Sequence, residues 1–157
     1  MNHFIFDIED SQKDHLQYLH NSILNKLNSG CKCKSSYDCL SPGDVRKIID
    51  HYNNSVIIHK NSKKYMDFEN AYAGVSKLEP NIIYFTSKFY LLEDETEQLR
   101  ILIHEITHTM GWTHEFEYGD PKYFYEPPLL AEKCITGIAT LASMNAKCFN
   151  LNNKFII

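Results

Sequence analysis

The segment "EDETEQLRILIHEITHTM", residues 93 to 110, limits the possible folds more than any other part of the chain. Leu99, Leu102, Ile103, Ile106 and Met110 recur at about 100° per residue and draw one apolar stripe along a helix. His104 and His108 project from the other side of the same cylinder, next to Ile101. Carboxylates gather in the first turns, where the helix dipole favours negative charge. A helix that is apolar behind and carries imidazoles in front is expected to sit mid-molecule, under a cleft. The rest of the chain must therefore supply walls on both sides of it.

Those walls can be read in outline. From Ser11 to Leu27, Leu16, Leu19, Ile23 and Leu27 keep helical spacing, and "NSG" ends the run with a glycine. "SPGDVRKIIDHYNN" reads as a capped second helix with Val45, Ile48, Ile49 and Tyr52 inward. "SVIIHK" is short, β-branched and bounded by polar residues, and "NIIYFTSKFYLL" contains a second strand over roughly Ile82 to Thr86. A loop rich in Pro and Tyr follows the histidine helix. "PLLAEKCITGIATLASMNAKCF" then reads as one closing helix with Leu130, Cys134, Ile138 and Leu141 on its buried face. The predicted architecture is α+β. One compact domain covers residues 1–157, with a helical N-terminal part over 1–54 and the sheet and catalytic part over 55–157.

At 157 residues and 43% apolar composition the chain can bury a real core. A net charge of -4 leaves no basic stripe to neutralise phosphates, so nucleic acid is not an expected partner. The lysines around Asn61 to Lys64 read as a solvated loop. No run is long enough to span a bilayer, and "MNHFIFDIEDSQKDH" lacks a basic stretch followed by an apolar one, so neither a membrane segment nor a secretion signal is expected. Secretion by a non-classical route stays open. Five cysteines, Cys31, Cys33, Cys39, Cys134 and Cys148, cannot all pair, so "CKCKSSYDC" reads as loop thiols or one disulfide rather than a metal knuckle.

The chemistry sits in "HEITH". On a helix His104 and His108 can present imidazoles to one zinc ion, with Glu105 beside them to take a proton from a metal-bound water. Zinc with three protein ligands keeps an open position and lowers the pKa of its water toward neutrality. At the chain's own residue frequencies the pattern His-Glu-x-x-His is expected about 0.03 times by chance, and a glycine and a further ligand at fixed offsets lower that several hundredfold. Coincidence is a poor account of it.

The third ligand has competing candidates. "HEITHTMGWTH" satisfies the long pattern H-E-x-x-H-x-x-G-x-x-H and so resembles the metzincins, with Gly111 where the helix must break and His114 as ligand. Met144 in "ASMNA" is the candidate for the methionine turn of that group. A longer stretch, roughly residues 81 to 149, resembles the aspzincin metallopeptidases, the deuterolysin and lysine-specific endopeptidase group. The specific part is "THEFEYG" with "NAKCF": Thr113, Tyr118 and Gly119 match, and Glu115 stands where the family has its ligand aspartate. The resemblance implies a zincin fold, Glu115 as the third ligand and Tyr118 as a hydroxyl aimed at the oxyanion. Glu for Asp departs from the family pattern and keeps His114 as the alternative, with a remote glutamate such as Glu132, as in gluzincins, a third possibility. Lys147 stands where the lysine-selective branch has an acidic residue, which points away from lysine selectivity and toward an acidic or neutral side chain. Tyr123 and Tyr125 read as loop packing or substrate wall. His3, His15, His20, His51 and His59 fall at no ligand spacing and read as surface or helix-face residues.

The expected function is zinc-dependent hydrolysis of peptide bonds in a protein or peptide, with one zinc ion and Glu105 as general base. Two rivals belong to other classes: a peptidoglycan or small-amide hydrolase of toxin or effector type, and a catalytically silent module that keeps zinc for folding. A peptide substrate is expected to lie along the sheet edge.

Overall fold

The computed structural model describes residues 3–31, 39–62, 71–116, 120–137 and 155–156. Its elements in chain order are β1 (His3–Asp7), α1 (Asp10–Asn28), α2 (Pro42–Asn54), β2 (Val56–Asn61), β3 (Ala73–Ser76), β4 (Ile82–Phe85), α3 (Ser87–Leu91), α4 (Glu95–Thr109), α5 (Pro127–Thr136) and β5 (Phe155–Ile156). A 3₁₀ turn over Pro121–Tyr125 leads into α5. The fold is α+β, as the sequence predicts.

Local chemistry sets the helix boundaries. Glu9 and Gln12 form a capping box at the start of α1. Ser41 caps α2 by accepting from the Asp44 N–H at 3.1 Å, and Pro42 follows at the first helical position. Asp94 caps α4 by accepting from the Thr96 N–H at 2.9 Å, and Glu95 and Glu97 occupy the first turn. Every residue from Gln98 to His108 is buried, so α4 is enclosed on all sides. It packs most extensively on α5 and also touches β3, β4 and α1.

The strands form one mixed sheet in the order β1-β2-β4-β3-β5. β1 lies parallel to β2, His3 facing Val56, and the crossover between them consists of α1 and α2. β2 lies parallel to β4, whereas β3 runs antiparallel to β4 with Val75 facing Ile83. β5 pairs antiparallel on the outer side of β3, Ile156 facing Val75. The outer side of β3 at Val75 and Ser76 is thus filled by the chain itself.

Three expectations need correction. The N-terminal part is not wholly helical, because β1 belongs to the sheet; its "HFIFD" alternates exposed with half-buried positions, the period of a strand with one face covered. The closing helix stops at Thr136, since Gly137 takes φ 87° as its C-cap, a left-handed conformation that glycine adopts without the Cβ clash. Its buried face is Leu129, Glu132, Cys134 and Ile135, with Leu130 only half-buried; Ile138 and Leu141 lie outside the described residues.

His20 and His59 are also not surface residues: both are fully buried, and their Nε2 atoms stand 2.7 Å apart. The protons on this pair follow from its ends. The Ile5 carbonyl can only accept, so His59 Nδ1 donates to it at 3.0 Å and a neutral His59 offers a bare Nε2. His20 Nε2–H donates to that atom, and His20 Nδ1 accepts from the Tyr52 hydroxyl at 3.0 Å. Phe4 and Phe6 stack on the two imidazoles, each at 4.4 Å.

Burial lowers the pKa of His59 to about 4 and that of His20 well below the usual histidine range. Above the unfolded value of about 6.5 both states are neutral and the full stability is present. As pH falls from there toward 4 the unfolded chain takes protons that the folded one refuses, so stability drops by about 1.4 kcal/mol per pH unit for each histidine. Urea unfolding of metal-free protein between pH 7 and pH 5 is expected to lose about 2 kcal/mol through His59 alone. That share of the loss is expected to vanish in His59→Leu, and equal pH slopes in the two proteins would refute the assignment.

Candidate metal centre

His104 and His108 lie one turn apart on α4, and their rings meet edge to face with centroids 4.7 Å apart. After Thr109 the helix ends because Gly111 takes φ 90°, and its N–H returns to the His108 carbonyl at 3.0 Å. The chain thereby turns back over the helix and brings His114 to the pair. One ligand atom from each of His104, His108 and His114 lies within 4.8 Å of the others.

Each ring is held by its other nitrogen. His104 Nδ1 donates to the Glu132 carboxylate at 2.8 Å, His108 Nδ1 to the Trp112 carbonyl at 2.6 Å, and His114 Nδ1 to the Glu126 carboxylate at 3.0 Å. Carboxylates and carbonyls only accept, so all three Nδ1 atoms carry a proton and each ring is left with Nε2 as its possible ligand atom. His104 Nε2 and His114 Nε2 stand 3.2 Å apart. Two lone pairs at that distance repel unless a cation or a proton lies between them. Two nitrogens on one tetrahedral zinc at about 2.05 Å are themselves about 3.3 Å apart, so the residues fit the ion.

Glu105 is 2% exposed, and its Oε2 has no hydrogen-bond partner among the described residues. A carboxylate oxygen buried in that state calls for a proton or a cation. Burial, and then the charge of Glu132, hold the Glu105 carboxyl well above the usual carboxylate range. The arrangement can bind a divalent cation through three imidazoles, with the buried carboxyl of Glu105 carried on the same helix next to His104.

Of the third-ligand candidates, the structure brings His114 to the pair and not Glu115. Glu115 is exposed and lines a cleft of about 500 Å³ together with Trp112, Thr113, Phe116 and Tyr125. Glu132 is fully buried and meets the site through His104 Nδ1, outside the group of three. Tyr118, Met144 and Lys147 lie outside the described residues. Sequence reasoning passed over Glu126 and the stacking of buried Tyr123 on His114, at 4.8 Å between centroids. It noticed Glu132 only as a possible ligand. The available signal was a carboxylate on the apolar face of the closing helix, where a charge is almost never left unpaired.

No protein-family model matches the chain, and neither a curated protein nor a solved structure matches it. No described helix is long and apolar enough to cross a membrane.

Proposed function

We propose that this chain is a zinc-dependent peptidase of the zincin type, with His104, His108 and His114 as ligands and Glu105 as general base. The observation that carries the reading is the set of three imidazoles, each fixed through Nδ1, whose other nitrogens converge, with the buried Glu105 following His104 on the same helix. A ligand set with His114 is that of the pattern H-E-x-x-H-x-x-G-x-x-H, and Gly111 with its positive φ supplies the turn that pattern needs. When bound, zinc acts as a Lewis acid that polarises a carbonyl and acidifies water. Glu105, next to His104 on α4, takes the proton of the attacking water and hands it to the leaving amine. Glu132 fixes the ring of His104 and the Trp112 carbonyl that of His108, so the ligands are oriented before the metal arrives. The substrate is a peptide bond in a protein or peptide chain.

The test is zinc content together with hydrolysis of an unfolded protein, for the wild type, His114→Ala and Glu115→Ala. One zinc per chain and chelator-sensitive cleavage are expected. His114→Ala is expected to lose zinc affinity by more than the 10- to 100-fold that outer partners of ligands contribute, and Glu115→Ala to keep it. Loss of zinc in Glu115→Ala with retention in His114→Ala would reverse the assignment. Zinc without cleavage of any protein would leave a binding site and end the peptidase reading.

A further inference from the structure

We propose that Glu126 is a positioning residue that locks the third metal arm to the loop carrying it, so that metal binding and the shape of the neighbouring cleft are one event. This rests on the metal reading above. His104 and His108 are fixed by the helical ladder of α4, whereas His114 follows Gly111 on a loop without such a ladder. Glu126 compensates for that with both carboxylate oxygens. Oε1 accepts from His114 Nδ1 at 3.0 Å, and Oε2 accepts from the backbone N–H groups of Glu115 and, at 3.2 Å, Phe116.

The position of Glu126 makes this use of it notable. It is the N-cap of α5, where a carboxylate ordinarily accepts from the N–H groups of its own first turn. Here the side chain makes no such bond and turns to the loop, although it is only 5% exposed. Buried Tyr123, stacked on the His114 imidazole, closes the arm from the other side. The same loop carries Thr113 and Glu115 on the cleft wall, where Glu126 itself also lies. A cation that draws in His114 therefore acts through one carboxylate on the loop that shapes that wall.

Trp112 is the chain's single tryptophan; its backbone carbonyl accepts from His108 Nδ1 and the residue lines the same cleft, so its emission is placed to report on changes at either. The experiment is zinc affinity by chelator competition, read also by tryptophan fluorescence, in wild type, Glu126→Gln, His114→Ala and the double variant. Glutamine keeps the size of the side chain but offers one accepting oxygen in place of two, so Glu126→Gln is expected to weaken zinc by about 10- to 100-fold. In the His114→Ala background the same change is expected to have less than a roughly twofold effect, because its route to the metal is gone. Glu126→Asp, which keeps the charge and shortens the reach, serves if the glutamine variant does not fold, with the same expectation. Zinc affinity within about threefold of wild type, or an equal loss in both backgrounds, overturns the proposal. Failure of the wild type to bind zinc overturns the metal reading instead. Equal affinity in wild type and His114→Ala removes His114 as the arm, and Glu126 with it.

Discussion

Glu105→Gln is expected to leave zinc bound and the fold intact while hydrolysis of an unfolded protein falls about 10²- to 10⁴-fold, the usual contribution of a positioned proton carrier. The expectation is sharp because the substitution changes so little else. Glu105 is buried on α4, where glutamine fills the same volume, and the carboxyl is not one of the three ligands. An amide cannot accept a proton and return it, so the loss would fall on turnover rather than on metal or substrate binding. A site that keeps zinc only for folding makes the opposite forecast: Glu105→Gln changes little, and chelation unfolds the chain. Measuring zinc content, melting temperature and cleavage on the same two preparations separates the alternatives, and undiminished cleavage by Glu105→Gln would refute its role as base.

Removal of the Cys31–Cys134 disulfide is expected to cost up to about 4 kcal/mol of stability, the upper bound for a loop held by this bridge alone, since Cys39 is disulfide-bonded as well. The bridge joins the chain just beyond α1 to the last turn of α5 and closes a loop of 103 residues. Constraining so long a loop in the unfolded chain is worth up to about 4.7 kcal/mol in the chain-entropy account. For a chain of this length the loss corresponds to a melting temperature lower by about 10 °C. The comparison is oxidised wild type against Cys31→Ser/Cys134→Ser, which leaves neither thiol behind. Because α5 also carries Glu132, whose carboxylate holds His104, the variant is expected to bind zinc more weakly as well. An unchanged denaturation midpoint would show that the packing of α5 on α4, α1 and the 3₁₀ turn holds the helix in place without the bridge.

The features legible in the sequence were those written in period and spacing. The stripe of Leu99, Leu102, Ile103 and Ile106 marked α4 as a buried helix, and all four side chains lie in the core. His104, Glu105 and His108 came from helical spacing alone, which needs nothing from the rest of the fold. The features that escaped depend on long-range neighbours. Ala73–Ser76 is four residues with a glycine, too short for a period, and is a strand only because β4 and β5 flank it. His20 and His59 are 39 residues apart and meet through the crossover of α1 onto the sheet, so no local spacing links them. His114 and Glu115 are adjacent, and which of them faces inward depends on how Gly111 redirects the chain. Glu126 and Glu132 act on rings held by other elements, an arrangement visible only once α5 is packed on α4.

The pairing of β5 on β3 bears on how a peptide would reach the sheet. A strand that adds beside Val75 and Ser76 finds those backbone groups already engaged by Phe155 and Ile156 of the same chain. A strand tethered in the same chain competes intramolecularly, and a free peptide must outmatch its effective concentration. Among the described residues two pairs join β5 to β3, so a peptide relying on backbone pairing alone would gain little there, whereas one with side-chain anchors elsewhere would gain more. Residues 155 and 156 of the same chain thus set the pairing that any strand offered to that position would have to match.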